Sequence, residues 1–397
     1  MKTAISACAA DAGKSGIGQY IYAILGRLDA LSTPDTEFVI YTEADNTAAL
    51  AFSSARIKVQ LLSPFWSRTL PNLFWHLLVL PLLLWRGNFN QVIFLAANRR
   101  LAWTPGVPSM GVVHDLSQLH IKGKYDRFRT FYVLHLLTGL MRRLDHVVCV
   151  SAATAVDVVD YAGVARQRVE TIHNGADTSQ FTLTGPTPPT QAGFPALGIT
   201  RPYILYTARL EHPGKNHVGL LRAFAILRQH YQQQCNMPLT LVFAGARWTG
   251  AAVIDAEIER LGLSNDVHIT GFVDQTLLPS LVRQASLFVM PSLFEGFGIP
   301  LVEAMAAGTP VCASRISSMP EVVGDAGLLF DPHAPQEMAQ IMRLVLESPT
   351  LAAEMIARGS ARARLFSWDT ATKALVTASA RLAAAAAGQP GLQRGQT

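Results

Sequence analysis

The sequence predicts an α/β protein of two domains in series, each a parallel sheet with helices on both faces. Three observations lead there. Short β-rich runs alternate with helical patterns along almost the whole chain. A stretch at 182–200 with four prolines and little hydrophobic periodicity interrupts that alternation. At 397 residues, the chain is also longer than one ordinary core accommodates.

In the first half, strands are expected at Thr3–Cys8, Glu37–Tyr41, Ile57–Leu61, Gln91–Leu95, Met110–Val113, His146–Val150 and Val169–Ile172. Helices are expected at Gly18–Leu31, Leu70–Leu84, Tyr125–Arg143 and Ala152–Tyr161, the last capped by Ser151. After the interruption a second series follows, with strands at Tyr203–Tyr206, Leu239–Phe243, Val267–Ile269, Leu287–Met290 and Val311–Ala313. Its helices lie near 217–231, 251–261, 275–284, 299–307 and 335–347. This gives a first domain at 1–181, a linker at 182–200, a second domain at 201–365, a last helix at 366–386 and a disordered tail at 387–397. A ligand is expected in the cleft between the two domains.

Half of the residues are hydrophobic and 15% are charged, as in a folded protein rather than a disordered one. Cys8, Cys149, Cys235 and Cys312 form no C-x-x-C pair. A disulfide framework or zinc site is therefore disfavoured, and a reducing cytoplasm fits better. The amino terminus has too short an apolar run for a signal peptide.

The net charge of +5 is unevenly spread. From Arg56 to Arg143 there are twelve basic residues, including Lys122, Lys124, Arg127 and Arg129, against only Asp115 and Asp126. Such a window suits an anionic lipid surface or a phosphorylated acceptor, and no nucleic-acid-binding motif accompanies it. The same window holds the apolar run 70–85, which is too short to span a bilayer. It reads either as a buried helix or as one dipping into the membrane interface, with Trp75, Trp85, Arg68 and Arg86 helping.

The most informative stretch is Pro291 to Pro310, P-S-L-F-E-G-F-G-I-P-L-V-E-A-M-A-A-G-T-P. Gly296 and Gly298 allow close backbone approach, and Pro300 suits a first helical turn. Free amides at residues 298–301 and the positive end of the helix would attract a diphosphate. Glu295 and Glu303 would flank that anion. Carboxylates are tolerated there only if they accept hydrogen bonds from hydroxyls, so the pattern suits a ligand with phosphate in the middle and hydroxyls at both ends. A sugar nucleotide has this layout. A buried βα unit with two glutamates on its wet face would give the same E-x7-E spacing.

Arg209-Leu210-Glu211-His212-Pro213-Gly214-Lys215-Asn216 follows the first strand of the second domain. Its two cations can reach one diphosphate, Arg209 in bidentate fashion and Lys215 as a point charge; two solvated surface cations are the plainer reading. Asp11 to Tyr20 contains G-K-S, but a phosphate-binding loop of the Walker type needs glycine where Cys8 stands. His114-Asp115 ends a strand, where a histidine is commonly a satisfied structural group.

Taken together, the run Val289 to Pro332, with G-I-P-L-V-E-A-M-A-A-G-T-P-V and P-E-V-V-G-D-A-G-L-L-F-D-P, resembles the donor-binding region of family-four retaining glycosyltransferases of the GT-B fold. That fold places two Rossmann-like domains across a cleft, with the last helix crossing back to the first domain; the F-S-W at 366–368 resembles its entry. Arg209 and Lys215 match the family's R-x(5)-K-N element, and Ser15-Gly16-Ile17-Gly18 its G-G-I-G segment with Ser15 for the first glycine. Asn174-Gly175-Ala176-Asp177 resembles its N-G-V-D, read as a structural turn. The resemblance implies His114, Glu295, Arg209 and Lys215 as the catalytic set, with His114 touching the transferred sugar and Asp115 orienting its ring. It implies Gly16, Ile17, Gly18, Arg209, Lys215, Glu295, Phe297, Gly298, Ile299 and Glu303 as donor-binding residues, Glu303 on the ribose.

The implied activity is transfer of a hexose, with mannose from GDP-mannose favoured over dTDP-rhamnose or UDP-glucose, to a saccharide or polyprenyl-diphosphate-linked acceptor. This would serve bacterial exopolysaccharide or lipopolysaccharide synthesis. An epimerase or phosphorylase of the same fold and a non-catalytic sugar-nucleotide binder are the alternatives. No cofactor beyond the nucleotide sugar is expected. Metal is disfavoured, since Glu43-Ala44-Asp45 is the nearest approach to D-x-D. The expected location is the cytoplasm, at the inner face of the plasma membrane.

Overall fold

The computed structural model describes residues 1–13, 15–31, 36–43, 50, 52–121, 131–184, 194, 199, 202–235 and 238–387. The expectations on Lys122 to Arg129, most of the linker, and residues 388–397 lie outside them. The chain divides into two compact units, Met1–Gly175 with Trp368–Thr397, and Ala176–Ser367.

The first unit is built on a seven-stranded sheet. Its strands are β1 (Lys2–Ser6), β2 (Glu37–Glu43), β3 (Ile57–Leu62), β4 (Gln91–Phe94), β5 (Ser109–Val113), β6 (His146–Cys149) and β7 (Val169–Thr171). They lie in the order β3-β2-β1-β4-β5-β6-β7, every pair parallel. The second unit has a six-stranded sheet of β8 (Tyr203–Thr207), β9 (Thr240–Ala244), β10 (Val267–Gly271), β11 (Leu287–Met290), β12 (Val311–Ser314) and β13 (Leu328–Phe330). Its order is β10-β9-β8-β11-β12-β13, again parallel throughout. Each sheet reverses its winding once, between β1 and β4 and between β8 and β11. A crevice outside the carboxyl ends of the strands opens at such a point.

The central strands β4, β5, β9, β11 and β12 are buried at every position. This is why they read as unbroken apolar runs rather than alternating ones. Ser151 caps its helix as expected, accepting from the Thr154 amide at 3.0 Å. The helix expected at Gly18–Leu31 instead spans Gly16–Leu25, followed by a separate turn at Leu28–Leu31. The strand β13 and the helices Met319–Val323 and Pro349–Ala363 were not anticipated. β13 is three residues long, too short to show alternation. Pro349–Ala363 buries only Met355, Gly359 and Ala363, a stripe too thin to register as a period.

The final helix, Trp368–Ala387, belongs to the first unit. Its Ser379 Oγ accepts from Gln91 Nε2 on β4 at 2.6 Å, and Arg381 pairs with Glu170 on β7 at 2.6 Å. The Trp368 ring meets Tyr20 edge-on at 5.8 Å.

Candidate active site

In the second unit the two motifs, 80 residues apart in sequence, meet because β8 and β11 are neighbours. The loops leaving their carboxyl ends are tied by a backbone bond from Leu293 N to Gly214 O at 2.9 Å. Lys215 Nζ then lies 2.6 Å from Glu295 Oε1, a pair with little solvent on either side chain. Ser292, fully buried, donates its one hydroxyl proton to the same oxygen at 2.6 Å, and the single Tyr206 hydroxyl proton is directed at two acceptors, Ser292 Oγ at 2.9 Å and the Lys215 carbonyl at 3.1 Å. Burial first, then the Glu295 charge, pushes the Tyr206 phenol well above its ordinary range and keeps it a donor. Glu295 is thus fixed through Oε1, while Oε2 has no partner among the described residues. Arg209 pairs with Glu211 at 3.3 Å and lies over the Trp248 ring at 4.8 Å. Each cation is held by a carboxylate that a bound diphosphate could replace.

Asn216, in the left-handed conformation at φ 55°, starts the helix His217–His230 and donates to the carbonyls of Pro291 and Pro332 at 3.0 and 2.9 Å. It thereby locks the two loops together. Ser318 Oγ holds the second loop from the far side, pointing at the carbonyls of Glu295 and Phe297 at 3.0 and 2.9 Å.

The helix Ile299–Ala306 begins after Gly298, whose φ of 101° only glycine adopts without strain. Free amides were expected within 298–301, and two are open there among the described residues. Pro300 has none, and Leu301 N donates to Gly298 O at 3.0 Å. The amides of Gly298 and Ile299 have no partner among the described residues. The Phe297 ring is buried and packs edge-on against Phe366 at 5.4 Å, and Ile299 is buried too. Neither side chain is therefore open to a ligand. Glu303, one turn on, keeps some exposed surface, and its carboxylate has no hydrogen-bond partner among the described residues. Burial first, then the Asp177 carboxylate, raises its pKa to about 7.

In the first unit, Ser15 is the cap of the helix Gly16–Leu25 and accepts from Gly18 N at 3.2 Å. The serine that stands for a glycine therefore takes up the Gly18 amide, which corrects the expectation that this amide faces a ligand. Gly18 is required for another reason: a Cβ there would lie 2.2 Å from both Ala10 O and Asp11 Oδ1. The amides of Gly16 and Ile17 have no partner among the described residues. His114 is buried, and its Nε2 bonds the Leu95 carbonyl at 2.8 Å, so Nε2 carries the proton. Burial lowers its pKa to about 4, leaving a neutral ring. Asp115 was expected to orient that ring, but the Leu95 carbonyl does so, and Asp115 Oδ1 accepts from Ser117 N and Oγ at 3.0 and 2.8 Å.

Sequence reasoning missed several residues at these loops. Tyr206, Ser292, Trp248 and Ser318 carry no signal without the fold. Asn98, just past β4, is 8% exposed, and its buried Oδ1 has no partner among the described residues. Asp177 was read as a turn residue. It does accept from Ser179 and Gln180 at 2.6 and 2.7 Å, but its charge also bears on Glu303.

Comparison with known proteins covers nearly the same ground. Residues 14–180 match the model described as Glycosyltransferase Family 4, and residues 193–362 match Glycosyl transferases group 1. The O-antigen chain mannosyltransferase B of Escherichia coli is 36% identical over 44% of this chain and 45% of its own length. The serotype-specific mannosyltransferase WbdA of Escherichia coli is 31% identical over 65% of this chain and 31% of its own length. The chain thus spans less than half the length of these relatives. Among solved structures, the sucrose-phosphate synthase of Thermosynechococcus elongatus superposes with a TM-score of 0.75 at 18% identity, covering 97% of this chain and 100% of that one. Two parallel α/β units, both halves of the family pattern and this shared architecture make the chain a member of the family-four glycosyltransferases of the GT-B fold.

Proposed function

We propose that the chain is a retaining hexosyltransferase that moves mannose from GDP-mannose to a saccharide or polyprenyl-diphosphate-linked acceptor. The observation that carries this reading is the Lys215–Glu295 pair at 2.6 Å beside the open amides of Gly298 and Ile299. A diphosphate arriving there exchanges the carboxylate for its own oxygens on Lys215, draws on Arg209, and meets the positive end of a helix. Glu295, released from Lys215 but still held by Ser292, accepts hydroxyls of the transferred sugar. Glu303 accepts those of the ribose.

Catalysis in this reading is electrostatic. The bond from the anomeric carbon to the diphosphate oxygen breaks as negative charge grows on that oxygen, where Lys215, Arg209 and the two amides stabilise it. The acceptor hydroxyl attacks from the same face, and its proton passes to the departing phosphate. No side-chain nucleophile is needed. His114, neutral and fixed by Leu95, offers its Nδ1 as an acceptor to a sugar hydroxyl. We propose that these cations replace a metal ion, so chelators leave turnover unchanged. Mannose is favoured because the relatives named above are mannosyltransferases. The buried, unpaired thiols Cys8, Cys149 and Cys312 support a cytoplasmic location, with the acceptor presented at the inner membrane face.

The test is incubation with labelled GDP-mannose, dTDP-rhamnose and UDP-glucose, with and without a polyprenyl-diphosphate glycan. Acceptor-dependent release of GDP supports the reading; release from another donor reassigns the sugar, and binding without release makes the chain a binder. Glu295→Ala should abolish transfer while GDP still binds, and near-normal turnover would mean the site is misassigned.

A further inference from the structure

We infer that the outward face of the helix Thr69–Arg86 docks the chain on an anionic lipid surface. The inference is independent of the sugar, the donor and the chemistry proposed above. The helix is mostly apolar, yet only one side of it is buried, and that side carries its two interior polar residues, Asn72 and His76. Asn72, His76, Leu80 and Leu84, spaced four apart, are each 1% exposed or less. Leu70, Phe74, Leu78 and Leu82, also four apart and displaced by two positions, are 44–67% exposed, as is Trp85 at the end. Two positions along a helix amount to about 200°, so these are opposite faces.

The outer row stays straight for a structural reason. Steps of four residues along an α-helix overshoot a full turn by about 40° each, and over three steps the row would wind around the axis. Residues Trp75–Val79 form a π turn, in which Leu80 N reaches back to Trp75 O. The wider turn undershoots instead and cancels part of the drift. The inner face is firmly seated. His76 bonds Asn72 O at 2.8 Å and Ser6 Oγ at 2.9 Å, and Arg100 Nε donates to Asn72 Oδ1 at 2.6 Å. The outer row is therefore held in place rather than frayed. Trp75, expected at the interface, belongs to the inner face, whereas Trp85 does face outward.

A lipid surface fits this face better than a protein partner does. Arg68 and Arg86, both exposed, stand at its two ends. Arg68 sits at the helix start, where a cation opposes the helix dipole and does nothing for the helix itself. No Asp or Glu occurs between Asp45 and Asp115, so nothing in this part of the sequence repels phosphate headgroups. Leucines and a phenylalanine between two arginines, with a terminal tryptophan, suit a helix lying in the interface plane. No helix among the described residues is long and apolar enough to cross a membrane.

The experiment is co-sedimentation of the full chain with vesicles of phosphatidylglycerol and phosphatidylethanolamine, and with vesicles of phosphatidylcholine alone. Wild type is expected on the anionic vesicles. Phe74→Glu with Leu78→Glu should weaken that binding at least tenfold, and Arg68→Gln with Arg86→Gln should remove the preference for phosphatidylglycerol. Circular dichroism melting shows whether each variant still folds. If the double glutamate does not, the shift in tryptophan emission on adding anionic vesicles, lost in Trp85→Phe, reports the same contact. Equal binding by wild type and a folded Phe74→Glu/Leu78→Glu overturns the inference. So does a wild type that ignores vesicles but dimerises through this face and becomes monomeric in that variant.

Discussion

The two units reverse their winding in the same way, yet the residues they place at those points differ in kind. At β8 and β11 the second unit gathers Arg209, Glu211, Lys215, Glu295 and Glu303, two cations and three carboxylates, on loops braced by Asn216 and Ser318. Past the ends of β1, β4 and β5 the first unit offers, among the described residues, the open amides of Gly16 and Ile17, Arg99, whose guanidinium lies 3.9 Å from Asp11, and a neutral histidine. A binding place for a doubly charged diphosphate needs cations, and cations on a loop need partners when the ligand is away. A place for sugar hydroxyls needs neutral donors and acceptors in fixed positions. Under the proposed function, the same fold would serve both tasks.

If that contrast is right, removing one cation should matter far more in the second unit than in the first. Lys215→Ala takes away a leaving-group contact and leaves Glu295 facing the diphosphate with no counter-charge. Turnover of GDP-mannose should fall by about 10²–10³, as when one transition-state donor is lost. Arg99→Ala, treated identically, should cost only a few-fold, on the order of a rim ion pair. Steady-state kinetics of the two variants side by side decide it. Equal losses would erase the distinction between the units.

The first unit depends instead on close backbone packing. Gly18→Ala forces a methyl into Ala10 O and Asp11 Oδ1, whereas at Gly16 the same methyl meets nothing within 4 Å. The former should destabilise the chain by about 1–3 kcal/mol, in the range of overpacking, and the latter by less than about 0.5 kcal/mol, as for an ordinary surface change. Urea denaturation of both variants measures the difference. Similar midpoints would show that the loop from Ala10 to Ser15 yields more easily than its contacts suggest.

Much of this was readable before the fold was known, and the exceptions have a common cause. The buried parallel strands Gln91–Phe94, His146–Cys149 and Leu287–Met290 announce themselves because each holds at least three consecutive apolar residues with no alternation. The residue types of the donor loops likewise suggested phosphate and hydroxyl recognition. What could not be read was who holds whom. Lys215 and Glu295 meet only because β8 and β11 are adjacent, Asp115 lost the His114 ring to a backbone carbonyl, and Ser15 claimed the Gly18 amide. The helix Thr69–Arg86 posed the inverse difficulty. The outer row is wholly apolar and the buried row carries Asn72 and His76, so periodicity pointed to the wrong face as the core.

The smallest effect is also the one that separates the units by pH. His114, with its pKa lowered to about 4, does not change charge between pH 5 and 8, so the first unit contributes no titration of that ring there. Glu303, raised to about 7 by burial and by Asp177, does. An ionised carboxylate only accepts hydrogen bonds, so ribose hydroxyls are held best above that pKa. Affinity for GDP-mannose should therefore rise about tenfold from pH 6 to pH 8 as the ionised fraction grows. That donor's diphosphate is esterified at both ends and adds no titration of its own near neutrality. In the unliganded chain the sign is opposite: a carboxyl whose folded pKa is raised contributes stability that is complete below its ordinary value and is lost as pH rises through about 7. In the proposed complex, ribose hydroxyls would compensate that loss by solvating the charge. Calorimetric titration at several pH values should give a rising curve for wild type and a flat one for Glu303→Gln, whose amide oxygen accepts at every pH. A flat wild-type curve would mean that the ribose does not reach Glu303, and that its unpartnered carboxylate beside Asp177 serves some other group.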